Sequence, residues 1–147
     1  MKSLNSFTMT VGSNSVNESF VRVAVAAFVS ALDPTVDEIC DIKTAVSEAV
    51  TNCIVHAYKN TIGKIYVSCD ILENRVISVK IRDRGCGIEN IKKAMEPLFT
   101  TGGSERAGLG FAVMESFMDS VTVRSKPGKG TTVILKKKLS YRAGNNG

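Results

Sequence analysis

Residues 76–82 read Val-Ile-Ser-Val-Lys-Ile-Arg, an alternation of apolar and polar side chains that ends in Asp83-Arg84-Gly85-Cys86-Gly87. Alternation of this kind specifies a strand with one buried face. A carboxylate at its end, then two glycines separated by one residue, lets the backbone turn tightly and approach a ligand closely. Alone the motif is weak, because acidic glycine turns end many strands that bind nothing. Its neighbours along the chain give it weight.

The chain has 147 residues, enough for one domain with a substantial core and too few for two. Residues 1–140 are expected to form that domain and 141–147 a flexible C-terminal tail. With 44% apolar and 22% charged residues, the composition is that of a soluble globular protein. No stretch is long and apolar enough for a membrane span, and no basic-then-apolar segment opens the chain. A cytoplasmic location and no membrane partner are therefore expected.

Cys40, Cys53, Cys69 and Cys86 lack the clustered spacing of zinc sites or disulfide frameworks. The first three are expected to be buried apolar residues, and Cys86 partly exposed in its turn. Residues 1–60 carry 4 Lys and Arg against 6 Asp and Glu, and residues 61–147 carry 15 against 8, so the two halves hold −2 and +7. A basic half suits nucleic acid, a polyphosphate or an acidic protein surface. Direct nucleic-acid binding is not expected, since neither a basic recognition helix nor interleaved aromatics appear. Lys136-Lys137-Lys138 reads as the solvated end of a last strand.

Residues 4–11 read as a strand with Phe7, Met9 and Val11 on one face. A helix capped by Asn14 or Ser15 follows, with Val16, Phe20, Val23, Ala24, Ala27, Phe28 and Ala31 expected inward. Asp33-Pro34 ends it. A second helix spans about residues 35–58. Residues 64–72 and 75–83 form two strands joined through Glu73-Asn74. A short helix at 89–95, a glycine-rich segment at 96–108, a helix at 109–118, and strands at 121–123 and 131–139 complete one α/β domain, its helices having one sheet face to cover.

On the second helix Glu48 and Asn52 lie four residues apart and share a face, which His56 continues. The helix is otherwise mostly apolar, so a carboxylate and an amide there need partners or a site. An ionised Glu can act as a base, and an Asn oxygen suits a hard cation such as Mg²⁺. For His56 a packed, structural role outweighs catalysis. Residues 97–110, Pro-Leu-Phe-Thr-Thr-Gly-Gly-Ser-Glu-Arg-Ala-Gly-Leu-Gly, are rich in small residues, as in a loop that closes over a ligand. The segment ends in Gly108-Leu109-Gly110 opening a helix, where free N–H groups favour phosphate, and Arg106 supplies charge for a transferring phosphoryl group. Walker-type and bilobal protein-kinase signatures are absent from the sequence.

Taken in order, Glu48 and Asn52 on a helix, Asp83-X-Gly85-X-Gly87, Gly108-X-Gly110, and Gly130-Thr131-Thr132 before a last strand resemble the gyrase, Hsp90, histidine kinase and MutL ATPase superfamily. Within it, residues 47–52 Ser-Glu-Ala-Val-Thr-Asn, His56-Ala57-Tyr58, residues 97–101 and residues 110–119 Gly-Phe-Ala-Val-Met-Glu-Ser-Phe-Met-Asp are similar to the anti-sigma F factors of spore-forming bacteria. So is the Asn17-Glu18-Ser19-Phe20 helix start. The similarity runs to about Leu139.

The resemblance implies a Bergerat-type ATP-binding fold, an α+β two-layer sandwich with a mixed β-sheet covered on one face by helices. It implies that Asp83 accepts from the adenine amino group, with Thr131 nearby through water, and that Gly85 and Gly87 let the chain pass close to the base. Asn52 is implied as the Mg²⁺ ligand, and Glu48 as the base for an incoming serine hydroxyl. Thr100, Thr101, Arg106, Gly108, Leu109 and Gly110 are implied as a lid over the phosphates, in which Gly102-Gly103-Ser104 departs from bulkier lids. The implied activity is that of an ATP-dependent protein serine kinase and anti-sigma factor. Its implied partners are a sporulation sigma factor and an anti-anti-sigma substrate, with a homodimer paired through the first strand and helix. Arg22 becomes a partner contact or a surface residue with a packed stem.

Two other functions fit the same residues. One is an ATP-binding anti-sigma module without phosphoryl transfer. The other is a stand-alone histidine-kinase-type catalytic domain, although the one histidine, His56, sits within the nucleotide-site helix rather than on a separate hairpin.

Overall fold

The computed structural model describes residues 1–95 and 110–141. Strand β1 (Ser3–Gly12) leads into helix α1 (Val16–Val29), which a tight turn at Ser30–Leu32 closes. There Asp33 adopts φ 51° and donates its N–H to the Ser30 carbonyl, leaving Pro34 clear of the helix. Helix α2 (Val36–Asn52) starts on a reciprocal cap. The Thr35 hydroxyl accepts from Glu38 N at 3.1 Å, and the Glu38 carboxylate accepts from Thr35 N at 2.9 Å.

Strands β2 (Lys64–Leu72) and β3 (Val76–Asp83) follow. After them come the short helices α3 (Ile91–Met95) and α4 (Phe111–Phe117), then β4 (Ser120–Lys126) and β5 (Gly130–Lys138). Asn74 and Arg75, both at positive φ, turn β2 into β3. The Arg75 guanidinium then donates to the Leu32 carbonyl at 2.8 Å, tying the hairpin to the end of α1.

The strand order is β1-β2-β3-β5-β4, and every neighbouring pair is antiparallel. The sheet is therefore antiparallel rather than mixed. Strands β3 and β4 do run in the same direction, but β5 folds back between them and separates the one parallel pair that the connection would otherwise make. One sheet face buries Ile65, Val67, Val79, Ile81, Val133 and Leu135 against Ile42, Val46 and Val50 of α2 and Phe111 and Met114 of α4. No helix among the described residues covers the other face.

Two sequence expectations are corrected here. On α1 the residues facing the core are Val21, Val25 and Val29, whereas Val16 (73%), Phe20 (55%) and Val23 (55%) stand in solvent with Ala27 and Ala31. The helix is apolar on two faces, so periodicity alone did not choose between them. Cys40 is exposed, because the inward line of α2 passes through Ile42, Val46 and Val50. Cys53 and Cys69 are buried and Cys86 is exposed, as expected.

Candidate functional site

The line of Glu48, Asn52 and His56 lies along the end of α2 and the turn that follows. At Cys53–Ala57 the winding loosens to a π-type turn, closed by Tyr58 N donating to the Cys53 carbonyl at 3.2 Å. The wider turn frees the Ala57 carbonyl for the strand-end loop, where it accepts from Cys86 N at 3.1 Å. Tyr58 pins the same loop. Its hydroxyl accepts from Arg84 N at 2.7 Å and donates to the Lys64 carbonyl at 2.8 Å.

Asp83, 5% exposed, is one of two buried polar residues among those described. Its Oδ1 accepts from Gly85 N at 2.9 Å and Thr131 N at 3.2 Å, while Oδ2 faces the Cys53 thiol at 3.5 Å. Burial pushes its pKa above the usual carboxylate value, and those hydrogen bonds oppose the shift. Burial, and after it the neighbouring Asp83 carboxylate, pushes the Cys53 thiol far up, so it stays protonated and able to donate. The result is an oriented carboxylate fixed on backbone donors, with lone pairs left over.

The glycines have a more structural role than sequence implied. A Cβ on Gly85 would strike the carbonyl and side chain of Ala57, and one on Gly87 (φ 76°) would strike the Lys126 carbonyl. Both residues let the loop pack between the π-type turn and the β4–β5 hairpin, where Gly128 N donates to the Cys86 carbonyl at 2.7 Å.

Above this loop a cavity of about 180 Å³ is lined by Asn52, His56, Gly87, Ile88, Phe111 and Thr131, with Cys86 and Val133 among its other walls. It is mostly apolar, with a few polar side chains among its walls, as suits a flat heteroaromatic ring. Glu48 opens on a second cavity, of about 290 Å³, shared with Arg22, Cys40, Lys43, Thr44 and Ser47. Arg22 is half-buried and paired with Glu18 at 2.8 Å. The Glu48 carboxylate lies against Gly110 at the start of α4, and burial raises its pKa. One helix line thus serves two adjoining spaces, Asn52 facing one and Glu48 the other. No cluster of three or more His, Cys, Asp or Glu suited to a metal occurs among the described residues. A hard cation here would rest on the Asn52 oxygen and on the anionic groups of its own ligand, which fits Mg²⁺ with a polyphosphate.

A histidine kinase-like ATPase domain pattern matches residues 14–137. The chain is 60% identical over 126 residues to the anti-sigma F factor of Caldanaerobacter subterraneus subsp. tengcongensis, covering 85% of this chain and 87% of that one. It belongs to the anti-sigma F factor family.

Over 127 residues it is 56% identical to the anti-sigma F factor of Clostridium acetobutylicum, covering 86% of this chain and 88% of that one. Among solved structures, the RsbU and RsbW domains of Rv1364c from Mycobacterium tuberculosis share the fold with a TM-score of 0.69 at 22% identity, over 95% of this chain and 33% of theirs. The Erythrobacter litoralis EL346 histidine kinase domain superposes with a TM-score of 0.56 at 17% identity, over 83% of this chain and 61% of its own.

Of the residues that sequence singled out in this anti-sigma F factor family member, the structure gathers Asn52, Gly87 and Thr131 around one cavity. Asp83 and Gly85 lie in the adjoining loop. Glu48 and Arg22 line the second cavity, and Gly110 lies against the Glu48 carboxylate. Thr100, Thr101, Arg106, Gly108 and Leu109 lie outside the described residues. Sequence reading missed Cys53, Tyr58 and Ser125. Ser125 Oγ accepts from Ile88 N at 2.8 Å and meets Thr131 Oγ1 at 2.8 Å. The contacts from Cys53 to Asp83, from Tyr58 to Arg84 and from Ser125 to Ile88 span 30, 26 and 37 residues, and no local spacing announces them.

Proposed function

We propose that this chain is an ATP-dependent protein serine kinase that also holds a sigma factor inactive. Asp83 carries the reading: a buried carboxylate, fixed by two backbone N–H groups at the start of the loop beside the cavity, suits the exocyclic amino group of adenine. The apolar walls Ile88, Phe111 and Val133 suit the base itself. Asn52 would hold Mg²⁺, which neutralises phosphate charge when bound. Thr100, Thr101, Arg106, Gly108, Leu109 and Gly110 would cover the phosphates.

Glu48 would receive the proton of an incoming serine hydroxyl as that oxygen takes the γ-phosphoryl group and ADP leaves. The acceptor would be an anti-anti-sigma protein, reaching Glu48 through the cavity beside Arg22. Positioning supplies most of the rate in such transfers. The names of the relatives support a sigma factor partner, and the acceptor follows from the family resemblance.

The exposed stripe of α1, with edge strand β1 alongside, would pair two copies. Val16, Phe20 and Val23 form an unpartnered apolar surface there. Phe20→Ser with Val23→Ser should convert a dimer to a monomer on sedimentation without unfolding it; a wild-type monomer at all concentrations would refute the pairing.

The test of the reaction is to incubate the protein with γ-labelled ATP, Mg²⁺ and a candidate anti-anti-sigma protein. Label on serine is expected. No transfer with sigma binding retained would leave a nucleotide-dependent anti-sigma module.

A further inference from the structure

The sheet face that no described helix covers gathers cations from the basic half of the chain. Strand alternation places Lys80 and Arg82 of β3, Lys136 and Lys138 of β5 and Arg124 of β4 on that face, all exposed. Lys137 alone of its run turns inward, donating to the Phe117 carbonyl at 2.8 Å and standing 3.5 Å from Asp41. Registry sets the spacing. Arg82 and Arg124 both pair with Thr132, so they flank it about 10 Å apart, and Lys136 lies diagonal to Lys80.

None of these five cations forms an ion pair with a described residue. No acidic residue of β3, β4 or β5 faces this side, and Asp83 and its carboxylate are on the other. The carboxylates at its margins are Asp70 of β2, opposite Ser78, and Asp119, which accepts from Lys138 N at 2.6 Å. The diagonal pair Lys80 and Lys136, ~7–8 Å apart, stands within a Debye length of about 8 Å, so the face keeps a positive field in solution. An anion laid across the face is attracted to it.

The chemistry of the face selects the anion. Single-stranded nucleic acid needs open aromatic rings, and the tyrosine on this side, Tyr66, is covered by Arg82 at 5.3 Å and Arg84 at 5.2 Å. Duplex grooves call for a projecting helix or ribbon rather than a flat sheet. Carboxylates on alternate residues of an extended chain repeat every ~7 Å and match the registry.

We propose that this face is a docking surface for an acidic protein segment; its Arg82 and Arg124 end opens on a cavity that Asp83 and Thr131 also line. The test uses the full chain and three fluorescent probes: a 20-residue alternating Glu-Ser peptide, a 20-nucleotide oligo(dT) and a 20-bp duplex, each at low and moderate salt. The peptide should bind most tightly. Lys80→Ser/Arg82→Ser/Lys136→Ser should weaken it at least ~10-fold and flatten its salt dependence. A charge-matched control, Lys2→Ser/Lys92→Ser/Lys93→Ser, should leave it within about two-fold, and thermal midpoints no lower than that of the wild type show both variants folded. Equal losses in the two variants, tighter binding of either nucleic acid, or no peptide binding by the wild type would overturn the proposal.

Discussion

The Glu48 carboxylate occupies the space where a side chain on Gly110 would begin: a Cβ built there falls against Oε1, and Gly110 itself sits at φ 68°. The start of α4 and the proposed base on α2 are therefore fitted to each other, and glycine is the residue that permits it. Gly110→Ala should strain the backbone by about 1–2 kcal/mol and displace Glu48. A shift of ~1 Å at a catalytic group costs on the order of 10²-fold. Single-turnover phosphoryl transfer should fall by about that factor while nucleotide affinity, measured by titration calorimetry, changes far less.

Burial raises the pKa of Glu48, and a base works only when ionised. Activity should therefore rise with pH through an acid limb lying above the ordinary value of 4.5. Glu48→Gln should lower transfer by about 10²–10⁴-fold, keep nucleotide binding, and abolish the limb. An unchanged limb in that variant would assign the titration to another group.

Asp83 separates recognition from stability. Asp83→Asn keeps an oxygen for Gly85 N and Thr131 N, yet turns the second oxygen, which faces the Cys53 thiol at 3.5 Å and would accept from adenine, into an N–H₂ donor. Adenine nucleotide affinity should drop by about 10–100-fold, the worth of a charged hydrogen bond. The folded pKa of Asp83 lies above its ordinary 3.8, so the native state binds the proton more tightly than the unfolded one. Its contribution to stability is full below 3.8 and lost as pH rises through the folded value. Asp83→Asn removes that titration. Denaturant midpoints should show the variant gaining on the wild type between acid and neutral pH.

The legible parts of this chain were those set by local period. Alternation gave β3 and put Asp83 on its buried face, and a four-residue step aligned Glu48 with Asn52. Helix α1 defeated the same reasoning because both of its faces are apolar, and the choice of Val21 over Phe20 is made by the sheet beneath. The roles of Gly85 and Gly87 were legible as a need for space. What fills that space, the Ala57 and Lys126 carbonyls, depends on segments about 30 to 40 residues away. Likewise, the insertion of β5 between β3 and β4 follows from hairpin return, which pattern alone does not order.

Tyr58 joins the helix-end turn to the strand-end loop through one hydroxyl that both accepts and donates. Its ring also fills the place of a Cβ on Gly63, so the chain leaving α2 is wrapped around it. Tyr58→Phe keeps the ring and removes only the oxygen. Arg84 N then loses its acceptor and the Lys64 carbonyl a donor. The Arg84 end is near solvent and can recruit water, so the cost should be about 1–3 kcal/mol rather than two full buried losses. Loosening the loop at Arg84 shifts the start of Asp83-Arg84-Gly85, and adenine nucleotide affinity should weaken by about two- to five-fold, under 1 kcal/mol. Glu48 is held separately by α2 and Gly110, so transfer at saturating ATP should change little. A large fall in kcat with unchanged nucleotide affinity would show instead that Tyr58 acts through the helix end and not through the loop.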